Sequence, residues 1–216
     1  MKIENTALLI VDLQNDFLHP KGAYGRAGQS SDAIAALPAR VAPVADAMRR
    51  AGGLVISTQF TLVPGRGGEP MIAPHLKKLR PFLTKGDFAP NSWGNAMVEE
   101  LGAPDFIIEK IAYSAFYMTR LEWVLRKNNV SNLIVAGIVT NGGVASTVRN
   151  AHVLDFHTTV LTDGCAAFSD VAHDAAISDL ATVSDTATCA EVKDLLGETR
   201  ILPRFLAEPS KSLTSG

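Results

Sequence analysis

The sequence predicts a doubly wound (Rossmann-like) α/β fold, three layers deep (α/β/α), around a mainly parallel sheet of about six strands. Three observations lead there. Short apolar runs rich in Leu, Ile and Val recur along the chain, stretches with helical spacing separate them, and several runs end in a charged or polar residue. An apolar run without polar alternation suits a strand buried on both faces. Strands alternating with helices of about ten residues or more imply βαβ crossovers and a sheet covered on both sides.

The elements follow in order. "TALLIVDLQ" (6 to 14) predicts the first strand. Residues 33 to 51 carry Ile34, Leu37, Val41, Val44, Ala45 and Met48 at three- and four-residue intervals, which predicts a helix stopped by Gly52 and Gly53. Pro38 and Pro43 blur its start. "GGLVISTQF" (52 to 60) is the second strand. Residues 61 to 104 are interrupted by Pro64, Gly65, Gly67, Gly68, Pro70, Pro74, Pro81 and Pro90 and predict a long excursion over the sheet. Such a segment serves as a lid, an oligomer contact or a plain surface insertion. "DFIIEK" (105 to 110) is the third strand, and Thr119 with Glu122 reads as a capping box opening the helix "TRLEWVLRKNN". "NLIVAGIVT" (132 to 140) is the fourth strand, followed by a helix over 142 to 156. "HTTVLTDG" (157 to 164) is the fifth, with a helix over 170 to 183, and "SDTATC" (184 to 189) is a weaker sixth. Thr188 and Glu191 repeat the capping pattern before a helix over 189 to 196, and 199 to 216 read as a tail. The whole of 1 to 216 is expected to form a single domain.

Composition narrows the functional classes. Twenty basic and 22 acidic residues are scattered along the chain for a formal net charge of −2, so neither nucleic acid nor an anionic membrane is an expected partner. The partner to expect is a small-molecule substrate. The two cysteines, Cys165 and Cys189, and a start without a charged and then apolar leader point to a reducing, cytoplasmic location. No apolar run approaches the roughly 20 residues of a membrane span.

In an open parallel sheet, ligands bind beyond the carboxyl ends of the strands. Four such ends carry chemistry: Asp12, Gln59, Lys110 and the turn at 139 to 143. A carboxylate emerging from a buried strand needs a cation or donors, and Lys110, ending "FIIEK", is the natural cation. Their pairing leaves Asp12 ionised as a base, or a dry pocket raises its pKa until it acts as an acid. The turn "VTNGGV" offers backbone amides at the start of a helix, where developing negative charge is favoured, and makes Val139, Thr140 and Asn141 candidate substrate contacts. Phe17, Trp93, Tyr113 and Phe116 lie near these motifs; the first three are candidates for an aromatic pocket lining and Phe116 for core packing.

The stretches "LLIVDLQNDFL", "IIEKIAYSAF" and "LIVAGIVTNGGVASTVRNA", in this order, resemble the isochorismatase-like hydrolase superfamily from about residue 5 to residue 196. For its amidase members the resemblance implies a Cys–Asp–Lys triad, of which Asp12 and Lys110 match two. The third falls on Gly143. The resemblance also implies a non-proline cis peptide at Ile138–Val139, an oxyanion site from the amides of Val139 and Gly143, and assembly as a homodimer or homotetramer. Isochorismatases proper resemble the chain at Gly143, and Gln59 in "STQF" falls where they place a substrate-contacting glutamine. "VTN" is closer to the amidases.

Without a nucleophile no acyl-enzyme forms. Cys165 reads as a packed structural thiol, and Cys189 is no better a substitute. The excursion contains only His75, with no Asp-x-His pair, so neither a catalytic metal nor any other cofactor is expected. Three readings follow: a nucleophile-free hydrolase working by acid and base through Asp12 with Lys110, on a vinyl ether as isochorismatases do; a cysteine amidohydrolase whose nucleophile has been replaced by Gly143; and a non-catalytic ligand-binding homologue.

Overall fold

The computed structural model describes residues 2–198. Six strands, β1 (Thr6–Val11), β2 (Leu54–Phe60), β3 (Phe106–Lys110), β4 (Asn132–Ile138), β5 (His157–Ala166) and β6 (Asp185–Ala187), form one sheet in the order β3-β2-β1-β4-β5-β6. Every pairing is parallel. The order reverses between β1 and β4, which makes the space beyond their carboxyl ends the topological switch point.

The short helices α1 (Asn15–Leu18), α2 (Ala23–Arg26) and α3 (Asp32–Ala35) lead from β1 into the long α4 (Leu37–Arg50). The helix expected over 33 to 51 is thus divided at Ala36. Pro38 falls in the first turn of α4, where its missing N–H costs nothing, while Ser31 caps α3 through a hydrogen bond from Ile34 N. Pro43 is accommodated inside α4. The excursion contributes one short α-helix, α5 (Pro74–Leu79), and a 3-10 turn at Glu99–Leu101, and the remaining α-helices among the described residues are α6 (Leu121–Lys127), α7 (Ala145–Val153), α8 (Asp170–Leu180) and α9 (Cys189–Glu198).

Side chains alternate across each strand, so β1 feeds two cores. Leu8 and Ile10 pack with Val41, Val44 and Met48 of α4 and Val192 of α9; Ala7, Leu9 and Val11 pack with Leu121, Val124, Val148 and Leu180 from α6, α7 and α8. All of the β1 side chains are buried, which is why the run shows no polar alternation.

Of the two capping boxes expected, one forms and one does not. Thr119 donates its hydroxyl back to Ala115 O and accepts from Leu121 N, while Glu122 pairs with Arg126 one turn on, so no reciprocal capping box opens α6. The expected box at Thr188 and Glu191 does form: the Glu191 carboxylate accepts from Thr188 N at 2.7 Å and the Thr188 hydroxyl from Glu191 N at 3.2 Å. The tail expected at 199 to 216 lies outside the described residues.

Candidate active site

Asp12 follows the last residue of β1 with φ at +57°, a left-handed turn that lifts its carboxylate beyond the sheet. Val11 pairs with Thr58 on β2, and the Thr58 hydroxyl donates to Asp12 Oδ1 at 2.7 Å. Phe60 pairs in turn with Lys110 at the end of β3. The lysine's long stem reaches back so that Nζ lies 2.6 Å from Asp12 Oδ2, with Ala112 O accepting a further hydrogen bond at 3.0 Å. Both side chains are almost wholly buried. On the other side of β1, β4 leads through the cis Ile138–Val139 peptide, as the resemblance implied, into a π turn over Thr140–Val144. A Cβ built on Gly143 would stand 3.3 Å from Asp12 Oδ2 and 3.1 Å from Ile138 O. One carboxylate oxygen therefore faces the ammonium and the α-carbon of this glycine together.

These groups open into a cavity of ≈ 30 Å³, enough for a water-sized occupant, lined by Asp12, Lys110, Gly143, Ile138, Val139 and a set of rings and caps. Phe17 and Tyr113 line it, as the sequence suggested. Tyr24, Phe60, Leu76, Arg80 and Phe168 line it too, and sequence reasoning did not find them. Tyr24 stacks on Phe168 with ring centroids 5.5 Å apart and accepts a hydrogen bond from Arg80 Nε. Burial pushes the Tyr24 hydroxyl above the usual tyrosine range, with the Arg80 guanidinium pulling the other way.

The other residues singled out in the sequence stand apart from the cavity. Thr58 and Phe60 face the site, so by the two-residue period of a strand Gln59 points away, into a surface depression with Glu109 and Arg120. Trp93 is half exposed and meets His19 edge-on, its carbonyl accepting from Asn15 Nδ2. Thr140 is fully buried, its hydroxyl 2.8 Å from His173 Nδ1, and Asn141 is exposed. Phe116 packs on Phe156 in the second core.

The remainder of the "DLQNDF" motif is structural. Gln14 donates to the carbonyls of Phe60 and Asn95 and accepts from Phe60 N, while the Asp16 carboxylate accepts from the amides of Ala23 and Phe88. These bonds stitch the excursion to the sheet and carry Phe17 into the cavity wall. Of the cysteines, Cys165 is buried near the end of β5, beside β4, and Cys189 at the start of α9, and neither lines the cavity. Burial drives both thiols upward, Cys189 to about 12 with the Asp163 carboxylate adding to the effect. His75 is exposed, and no group of three or more His, Cys, Asp or Glu side chains among the described residues is placed to hold a metal ion.

Comparison with known proteins agrees with this architecture. An isochorismatase domain model matches residues 6–193. The ureidoacrylate amidohydrolase RutB of Yersinia enterocolitica is 34% identical over 199 residues, 85% of this chain and 86% of that protein. Its namesake from Stutzerimonas stutzeri is 32% identical over 174 residues, 76% and 70% of the two chains. Among solved structures, a cysteine hydrolase from Pseudomonas syringae pv. phaseolicola aligns with a TM-score of 0.79 at 25% identity, covering 93% of this chain and 96% of its own. N-carbamoylsarcosine amidase from Thermoplasma acidophilum shares the fold, with a TM-score of 0.66 at 22% identity over 86% and 96% of the chains. The chain belongs to the isochorismatase family of hydrolases.

Proposed function

We propose that this hydrolase acts on a small metabolite by acid and base chemistry, Asp12 moving the proton, Lys110 holding its charge, and water making the attack that a side chain makes in cysteine hydrolases. The observation that carries the reading is the composition of the cavity wall. Among the described residues it contains the Asp12–Lys110 pair and Gly143 but no Ser, Thr or Cys, so none of these supplies a hydroxyl or thiol for an acyl-enzyme. The bond class that needs none is an enol ether. Asp12, having taken a proton from solvent, delivers it to the enol carbon; water captures the resulting oxocarbenium ion and returns a proton to Asp12, and the hemiketal collapses to a ketone and an alcohol. Val139 and Gly143 would contribute backbone amides to the substrate's developing charge. Assembly as a homodimer or homotetramer is part of the same proposal, and sedimentation velocity giving a monomer at working concentrations rejects it.

A specific observation favours a second reading. The two relatives compared above are amidohydrolases by name, and both Asp12 oxygens accept hydrogen bonds, which suits a base assisting water at a ureido or carboxamide carbon. The experiment is turnover of isochorismate and of ureidoacrylate by the purified chain in oxygen-18 water. The first reading expects release of the enol-ether product, loss of at least about 100-fold in kcat for Asp12→Asn, and no effect of thiol alkylation. Turnover of ureidoacrylate alone moves the assignment to the second reading, and Gly143→Cys then raises that rate through a trappable acyl-enzyme. Inactivity on both substrates, or an active Asp12→Asn, rejects hydrolysis by this pair.

A further inference from the structure

The turn over Thr140–Val144 carries Gly143 into the cavity wall and contains two adjacent glycines. Glycine loses more backbone freedom on ordering than any other residue, so such a turn needs restraint from outside itself. Its own side chains divide sharply. Asn141 is exposed and Val144 packs into the second core, which leaves Thr140 as the side chain that hydrogen-bonds inward. Thr140 is fully buried, where a hydroxyl without a partner is costly. Its partner is His173 Nδ1, 2.8 Å away in the first turn of α8. The imidazole nitrogen accepts from the hydroxyl or donates to it, and the hydroxyl rotates to suit, so the link holds in either sense.

His173 is partly buried and stands outside the cavity wall. It nevertheless belongs to a segment that meets the site twice. α8 packs against the glycine turn, and the His173 amide donates to Ser169 O at 3.0 Å, next to Phe168, whose ring lines the cavity and stacks on Tyr24. One short connection after β5 therefore supplies a ring to the wall and a hydrogen bond to the turn opposite Asp12.

We propose that His173 is a positioning residue of this site: through the Thr140 hydroxyl it fixes the turn, so that the Val139 and Gly143 amides keep the spacing that the substrate's developing charge requires. His173 touches neither substrate nor reacting atoms. The inference rests on reading those amides as the charge-stabilising part of the site. Donors held rigid in advance contribute most as charge develops, so loosening the turn slows turnover and leaves ground-state binding nearly intact.

Steady-state kinetics of His173→Leu, Thr140→Val and their combination, on whichever of isochorismate and ureidoacrylate the chain turns over, test this. Each single change is expected to lower kcat about 10-fold, the worth of one hydrogen bond, with KM altered less than about twofold. The double variant should be no slower than either single one, because both remove the same link. His173→Asn, whose amide group can replace Nδ1, and Thr140→Ser, which keeps the hydroxyl, should recover most of the rate. In nitrogen-15 spectra the Gly142 and Gly143 amide signals should move in His173→Leu and return in His173→Asn, with thermal unfolding showing each variant folded. An unchanged kcat in His173→Leu, a loss confined to KM, additive losses in the double variant, or no recovery in His173→Asn overturns the proposal. A chain that turns over neither substrate rejects the proposed reaction, and the glycine signals then decide alone: moved and restored they support the positioning role, unmoved they overturn it.

Discussion

A single buried ion pair organises the site, and its energetics are asymmetric. Taking two charges out of water costs several kcal/mol per ion, repaid when geometry and extra hydrogen bonds are good. Here Asp12 Oδ1 has the Thr58 hydroxyl and Lys110 Nζ has Ala112 O in addition to the 2.6 Å contact between the pair. Removing one member strands the other. Lys110→Met is expected to destabilise the chain by about 3–5 kcal/mol in urea unfolding, whereas Asp12→Asn combined with Lys110→Met should recover most of that loss. Asparagine tolerates the left-handed backbone at position 12 and still accepts from Thr58. A single Lys110→Met variant as stable as the native chain would mean that the pair is not held as a buried unit.

Among the elements, the start of α9 shows how a local pattern becomes a titratable contribution. Glu191 is fully exposed, yet hydrogen bonds from the Thr188 amide and hydroxyl hold its carboxyl below the usual glutamate range. A depressed native pKa stabilises the fold at pH above the ordinary glutamate value and loses that stabilisation as pH falls through the lowered one. The melting-temperature gap between the native chain and Glu191→Ala should therefore be widest near neutrality and narrow in acid. A gap that does not change with pH would show that the cap does not favour the ionised form. Thr119 and Glu122 have the same sequence spacing without the same outcome, because Ala115 O and Arg126 satisfy their polar groups first. Spacing proposes a cap, and competing partners decide it.

Across the whole molecule, the excursion and the sheet meet through an aromatic cluster that is also the cavity wall. Phe88 is fully buried, with ring centroids 4.5 Å from Phe17, 5.5 Å from Phe60 and 6.1 Å from Tyr24. Phe88→Ala is expected to cost about 3–5 kcal/mol and, if the proposed site is correct, to raise KM more than it lowers kcat, since it loosens the rings that line the cavity and leaves the Asp12–Lys110 pair untouched. Steady-state kinetics beside thermal unfolding checks both halves, and a loss confined to kcat would contradict this division.

What the sequence alone determined is the part written in local patterns. Runs such as "TALLIV" and "NLIVAGI" read as strands because burial on both faces removes polar alternation, and Asp12 and Lys110 stood out as charges ending such runs. Only the tertiary structure decided which strands became neighbours, and therefore that Lys110 reaches Asp12 across β2 while Gln59, one residue from Phe60, faces elsewhere. It also decided that Arg80, Leu76 and Tyr24 close the cavity. The path of a proline- and glycine-rich excursion is set by contacts distant in sequence, such as Asp16 with Phe88 and Gln14 with Asn95. No periodicity records those contacts, because they satisfy polar groups in three dimensions and not along the chain.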